Sequence, residues 1–156
     1  MQLDQMYQEI ILDHYKHPHH RGLAEPYDAE AHHVNPTCGD EVTVRVRLDG
    51  GADDPAVAEV THEGLGCSIS QASASVMSDL VTGRPLSEAL HAHDEFVTLM
   101  QSKGEPVEVD EDLLDDAVAF AGVAKYPARI KCALLGWMAF KDALVRAVDH
   151  ATDTVN

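Results

Sequence analysis

Hydrophobic and polar residues alternate most regularly over residues 41–48, EVTVRVRL. Their period of two places the apolar side chains on one face, which predicts a strand with one buried face. The turn-rich stretch DGGADDP follows, and residues 56–64, AVAEVTHEG, then predict the hairpin partner of that strand. A short strand near residues 27–34 would complete a small antiparallel meander.

Elsewhere, apolar residues recur at intervals of three and four, which predicts helices. Five segments show this pattern: 3–16, 68–82, 86–100, 110–121 and a last helix opened by Pro127. We expect Ser68 and Ser87 to be N-caps. Because one helix precedes the strands and the others follow them, the sequence predicts an α+β fold. This fold would be one domain over residues 1–156, with a small three-stranded antiparallel sheet packed against about five helices.

The charge of the chain narrows the possible partners. There are 27 acidic and 11 basic residues, which gives a net charge of −16. Binding of nucleic acid or of an anionic membrane surface needs a basic patch, so we expect neither as a partner. No stretch approaches the ~20 apolar residues of a membrane span, and the first residues do not resemble a signal peptide. We therefore expect a cytoplasmic protein.

The three cysteines are the main candidates for chemistry. Cys38 lies in the turn sequence NPTCGD, two residues before Asp40, and Cys67 follows two glycines at a predicted helix start. Cys132 lies about one turn into the last helix, behind Arg129. A helix N-terminus or a nearby cation stabilises a thiolate. A disulfide framework is not expected, because a cytosol keeps thiols reduced.

Three thiolates and the carboxylate of Asp40 would suit tetrahedral zinc. The usual C-x₂-C pairs of zinc modules are absent, however. Residue types and spacing therefore leave three readings open: a metal site, buried inert thiols, or a catalytic cysteine nucleophile.

Histidines form a second group of candidates, since the chain contains ten of them. His17, His19 and His20 cluster after the first helix, and His32 and His33 are adjacent. They could form an extra metal site or part of a partner surface. The alternative is that they are solvated loop residues.

Four longer motifs carry a resemblance to a known family. They are YQEIILDHYKHPHHRG (7–22), NPTCGD (35–40), GLGCSISQASAS (64–75) and YPARIKCALLGW (126–137). With these motifs in this order, the chain resembles the SufU-type branch of the IscU-like iron–sulfur cluster assembly proteins, which are related to the N-terminal domain of NifU. The resemblance implies a compact α+β fold in which Cys38, Asp40, Cys67 and Cys132 converge and bind zinc.

The resemblance also implies a function and partners. Members of the SufU branch accept persulfide sulfur from a pyridoxal-phosphate cysteine desulfurase of the SufS type and pass it to downstream cluster assembly proteins. By this resemblance Cys38 would be the sulfur acceptor, in a sulfurtransferase-like reaction. Arg129 would steady the thiolates, unless it is only a surface arginine. Two alternatives remain, namely a scaffold that builds an iron–sulfur cluster on the same ligands and an adaptor with structural zinc.

Two departures favour sulfur transfer over the scaffold. Lys131 stands where the scaffold proteins carry a histidine just before the third cysteine. Residues 103–123 look like the extra stretch that is typical of the SufU branch.

Overall fold

Three antiparallel strands form a sheet in the order β1–β2–β3 in the computed structural model, which describes residues 2–37, 39–50 and 53–155. The side chains of residues 2–4 and 150–155 lie outside the description, as does Cys38, so every prediction about Cys38 falls outside the described residues. The strands are β1 Ala29–Asn35, β2 Asp40–Asp49 and β3 Ala56–Leu65. The predicted meander is confirmed.

Strand β2 shows the predicted alternation. Val42, Val44 and Val46 are buried on the inner face. The pairing with β3 shifts between Arg47 and Leu48, where a bulge interrupts the register. A bulge twists the strand locally, and Leu48 is accordingly only partly buried at the edge of the core.

The helices cover one face of the sheet in two layers. They are α1 Gln2–Lys16, α2 Ser68–Val81, α3 Leu86–Gln101, α4 Glu111–Leu114, a 3₁₀ helix Asp115–Lys125 and α5 Pro127–Val155. Helix α5 packs on β1 and β2, and α2 packs on β3 and α5, while α1, α3 and the 3₁₀ helix lie against this first layer. The predicted α+β class is confirmed. Within the described residues, no helix is long and apolar enough to cross a bilayer.

Polar contacts fix α5 against the edge strand β1. His33 Nε2 lies 2.9 Å from Asp142 Oδ2, and Arg146 donates a hydrogen bond of 3.1 Å to the carbonyl of Glu30. The hydrogen bond with His33 is the main reason why the pKa of Asp142 lies below its ordinary value. His33 thus joins a helix to a strand.

Both predicted serine N-caps are wrong. Helix α2 has Cys67 as its N-cap, and Ser68 is its first helical residue. Helix α3 follows Pro85, and Ser87 lies within its first turn. There the hydroxyl and the backbone N–H of Ser87 both donate to the carboxylate of Asp54, at 2.8 and 2.9 Å. The carboxylate that satisfies this helix end therefore comes from a distant loop.

The acidic helix predicted over 110–121 is two elements. Asp110 caps the single turn of α4 by accepting a hydrogen bond of 3.1 Å from the N–H of Leu113. The chain then continues as a 3₁₀ helix in which Ala117, Phe120 and Val123 are buried. Side chains three apart align on a 3₁₀ helix, so these three residues share one buried face, and Ala119 and Ala124 are buried beside them.

His93 of α3 is a titratable group inside the core. It is 2% exposed, and neither ring nitrogen has a hydrogen-bond partner in the described part of the chain. The nearest carboxylate oxygen, of Asp94, lies 3.5 Å from Nδ1, which is too long for a good hydrogen bond. Burial is the main cause that lowers the pKa of His93, and the charge of Lys141 adds to it.

Gly64→Ala should strongly destabilise the protein. Gly64 pairs with Val42, and a Cβ there would overlap the carbonyl oxygen of Glu41 and lie 2.9 Å from the Cα of Val42. Backbone atoms cannot move aside, so we expect a loss of about 1–3 kcal/mol or more in the free energy of unfolding. Urea denaturation measures it. Gly122→Ala is the control, since nothing lies within 4 Å of its added Cβ. Equal midpoints for the two variants would contradict the close approach.

Acidification between about pH 7 and pH 5 should destabilise the protein in part through His93. The unfolded chain binds a proton at the ordinary histidine pKa, whereas the buried ring resists protonation, so stability falls as the pH drops through that range. His93→Met should flatten this fall, and thermal unfolding at several pH values measures it. His91→Gln is the control, because His91 is exposed beside Glu95. A slope that is unchanged in His93→Met would exclude His93 as a source of acid sensitivity.

Candidate metal centre

Asp40 is a buried carboxylate at the beginning of β2. It pairs with Asn35 across the β1–β2 hairpin and is 2% exposed. Gly39 turns the chain just before it, with φ of 74°, and donates a hydrogen bond of 2.9 Å to the carbonyl of Asn35. Such a φ suits glycine, which lets the hairpin close with the Asp40 side chain pointing inward.

Cys67 meets this carboxylate from the other side. Its backbone N–H donates a hydrogen bond of 3.1 Å to Asp40 Oδ1, and its Sγ lies 3.7 Å from Asp40 Oδ2. Gly66 permits the approach, since a Cβ there would overlap the Ser70 hydroxyl and lie 2.9 Å from Asp40 Oδ1. Cys67 is also the N-cap of α2, where unsatisfied N–H groups favour negative charge.

Cys132 completes the described part of the cluster from α5. Its side chain is buried, and Sγ lies 3.6 Å from the carbonyl of Ala128, one turn earlier. One oxygen of Asp40 and the sulfur atoms of Cys67 and Cys132 all lie within 4.8 Å of one another. The structure thus brings together three of the four residues predicted as metal ligands, while Cys38 lies outside the described residues.

The chemistry of these donors fits zinc. Zinc binds thiolate sulfur at ~2.3 Å and carboxylate oxygen at ~2.0 Å, so tetrahedral ligand atoms lie roughly 3–4 Å apart. The three donor atoms are close enough to reach that spacing through small side-chain movements. Tetrahedral zinc takes four ligands, so these three donors leave one position for a further ligand. The sequence motif NPTCGD offers Cys38, two residues before Asp40, for that position.

The cluster opens to solvent through a cleft of about 400 Å³. Arg129 forms part of its wall, next to Ala128 and the three donor residues. The Arg129 side chain is exposed and also borders a larger groove of about 610 Å³ between α1, the 3₁₀ helix and the start of α5. Lys131 is exposed on the same helix. A macromolecular partner could therefore reach the thiols beside a cation.

Sequence reasoning missed a second arrangement of chemical groups, formed by Ser75, His14 and Asp116. His14 Nδ1 lies 2.8 Å from Ser75 Oγ, and Nε2 lies 3.2 Å from Asp116 Oδ2. Ser75 is fully buried, and its oxygen also accepts the N–H of His19 at 2.7 Å. Because Ser75 is buried, a substrate cannot reach its hydroxyl, and these residues do not form a hydrolytic site. Their hydrogen bonds instead hold α1, α2 and the 3₁₀ helix together. The residues are far apart in sequence, and no local motif predicts their contact.

Curated relatives align with almost the whole chain. A zinc-dependent sulfurtransferase SufU from Bacillus subtilis is 39% identical over 145 residues, covering 92% of each chain. An iron–sulfur cluster assembly scaffold protein IscU from Streptococcus pyogenes is 38% identical over 153 residues, covering 97% of this chain and 91% of the relative. The two identities are nearly equal, so they do not separate a sulfurtransferase from a scaffold.

Solved structures share the fold and the family. A putative iron–sulfur cluster assembly scaffold protein for the SUF system from Fervidobacterium islandicum superimposes with a TM-score of 0.74 at 35% identity, covering 90% of this chain and 97% of that one. A NifU-like N-terminal protein from Brucella abortus gives a TM-score of 0.78 at 30% identity, covering 96% and 99%. The family of NifU-like N-terminal domains matches residues 6–133. The chain therefore belongs to the NifU-like N-terminal domain family.

Proposed function

We propose that this protein is a zinc-dependent sulfur acceptor that serves a pyridoxal-phosphate cysteine desulfurase of the SufS type. It would take up persulfide sulfur and pass it to downstream cluster assembly proteins. The observation that carries the proposal is the cluster of Asp40, Cys67 and Cys132, which opens into a cleft large enough for a partner's residue. The name of the B. subtilis relative, a zinc-dependent sulfurtransferase, supports it.

The four residues that would hold zinc are Asp40, Cys67 and Cys132, together with Cys38. When bound, zinc keeps cysteine sulfur in the thiolate form and shields it from oxidation. Cys67 is the N-cap of α2, and Cys132 lies within α5, so both are tied to helices. Cys38 comes between β1 and β2 in the sequence, outside the described residues, and we propose it as the thiol that accepts sulfur.

The proposed transfer is an ordinary thiol exchange. The thiolate of Cys38 attacks the outer sulfur of the persulfide that the desulfurase carries. A new S–S bond forms between Cys38 and that outer sulfur. The old S–S bond breaks, and its electron pair leaves on the cysteine of the desulfurase as a thiolate. No external oxidant or reductant is consumed.

Arg129 has a supporting role in this scheme. Zinc with three thiolates and one carboxylate carries a formal charge of about −2, which a nearby cation offsets. Arg129 lies on the wall of the cleft, one helical turn before Cys132, and its exposed side chain can reach inward or toward a partner. We propose that it steadies the sulfur atoms during transfer.

A scaffold that assembles an iron–sulfur cluster on the same ligands is the second candidate, and the S. pyogenes relative carries that name. Two features favour sulfur transfer. Lys131 stands where the family resemblance implies a histidine in the scaffold proteins, and we interpret residues 103–123 as the insert of the SufU branch. A visible-absorbing cluster on the anaerobically purified protein would favour the scaffold.

Cys38→Ala should remain folded and lose sulfur acceptance. The test is the release of alanine by the desulfurase from the same source, with and without the zinc-loaded protein. Wild-type protein should stimulate turnover strongly, and Cys38→Ala should give the rate of the desulfurase alone, since no attacking thiolate remains. Thr37→Ala, which changes the exposed residue next to Cys38, should retain stimulation. Normal stimulation by Cys38→Ala would instead point to Cys132 as acceptor.

Gly66→Ala should weaken zinc binding although it changes no proposed ligand. The added Cβ would lie 2.9 Å from Asp40 Oδ1 and push the carboxylate away from Cys67. We expect a loss of about 10–100-fold in zinc affinity, as for other changes around a metal site. Competition with a chromophoric chelator measures it, with Gly122→Ala as the control. An unchanged affinity in Gly66→Ala would remove Asp40 from the proposed ligand set.

A further inference from the structure

A second cluster of metal-binding side chains lies between the loop after α1 and helix α2. His19 Nδ1 lies 3.4 Å from Asp79 Oδ2, and His20 Nε2 lies 3.4 Å from Asp79 Oδ1. Two imidazoles thus approach the two oxygens of one carboxylate. Both distances exceed those of good hydrogen bonds, so the three side chains face one another without a close contact.

The loop backbone is held firmly in this position. The N–H of His19 donates to Ser75 Oγ at 2.7 Å, and the carbonyl of His19 accepts from His62 Nε2 at 2.8 Å and from Ser78 Oγ at 3.2 Å. The carbonyl of His20 accepts the N–H of His62 at 3.2 Å. These hydrogen bonds to α2 and β3 hold the backbone of both histidines. Their imidazole rings therefore lie beside the face of α2 that carries Asp79.

His20 has an unusual backbone conformation. Its φ is 60°, in the left-handed region that residues with a Cβ seldom adopt. Such a conformation costs about 1–3 kcal/mol and persists where the surrounding structure enforces it, often at a functional site. Here it places the His20 ring against the second oxygen of Asp79.

We propose that His19, His20 and Asp79 form a second site for a divalent transition-metal ion. Imidazole nitrogen and carboxylate oxygen are ligands that zinc, nickel and iron(II) accept. This site would differ from the thiol centre in its chemistry, because it contains no sulfur. It is also independent of the proposed sulfur transfer.

The three side chains are partly exposed to solvent, which leaves them free to move toward a shared ion. They are 43%, 32% and 52% exposed for His19, His20 and Asp79, so each side chain is free to rotate toward a shared ion. Their donor atoms are less tightly gathered than those of the thiol centre, so this site would be the weaker of the two. The net charge of −16 favours the approach of a cation.

The test counts zinc ions bound per chain, by equilibrium dialysis followed by elemental analysis. Wild-type protein should bind one more zinc per chain than Asp79→Asn or His20→Asn. Asparagine keeps the size of Asp79, and it also tolerates the left-handed backbone at position 20. Zinc should therefore raise the midpoint of thermal unfolding further in wild type than in Asp79→Asn or His20→Asn, since an additional ion that binds only the folded state stabilises it.

His91→Gln is the matched control, since His91 and Glu95 also pair an imidazole with a carboxylate, 3.6 Å apart, but without a second histidine. It should bind as many zinc ions as wild type. Cobalt(II) gives a spectroscopic check, because cobalt in this site should lack the sulfur charge-transfer absorption of the thiol centre. Equal zinc counts in wild type, Asp79→Asn and His20→Asn would overturn the proposal. A loss of zinc in His91→Gln as well would overturn it too, because it would indicate diffuse binding to surface histidines.

Discussion

The burial of the Asp40 carboxylate is the constraint on which the candidate site depends. A carboxylate away from water needs hydrogen-bond donors or a cation, or its burial costs several kcal/mol. The backbone N–H of Cys67 supplies one donor, and it does so only because β2 and β3 stay in register up to Leu65. The pairing of β2 with β3, the glycine at position 66 and the N-cap residue of α2, Cys67, thus act together to hold the Asp40 carboxylate.

A metal ion would complete this arrangement. The carboxylate has one described backbone donor and two neighbouring sulfur atoms, so much of its charge remains to be compensated inside the protein. A doubly charged cation between carboxylate and thiolates removes that cost, and its binding free energy then contributes to folding. In such a site, the same groups that would carry the chemistry also determine whether the end of the sheet is stable.

The sequence predicts local features well and distant contacts poorly. The alternation in β2 identified Val42, Val44 and Val46 as core residues because a strand has a simple period. The N-cap of α3 was predicted wrongly as Ser87, because the carboxylate that accepts hydrogen bonds at this helix start comes from Asp54 in another part of the chain. The 3₁₀ helix was predicted as an α-helix, although the spacing of its apolar residues by three was visible in the sequence.

The same division applies to the candidate sites. Residue type, local turns and family resemblance indicated Asp40, Cys67 and Cys132 together, and the structure places them within reach of one ion. The clustered histidines were visible in the sequence, but their partner Asp79 was not, because only the tertiary fold brings α2 to the loop. Local composition reveals which residues can do chemistry, while the fold determines which of them meet.

Helix α5 carries Cys132 near its start and is tied to β1 further along, through Asp142 and Arg146. A helix turns by roughly 100° for each residue. The contacts that Asp142 and Arg146 make with β1 therefore fix the rotation of α5 about its own axis. This rotation determines the direction in which the Cys132 sulfur points. One residue added or lost in the ten-residue span between Cys132 and Asp142 would turn the sulfur by roughly 100°, away from its partners.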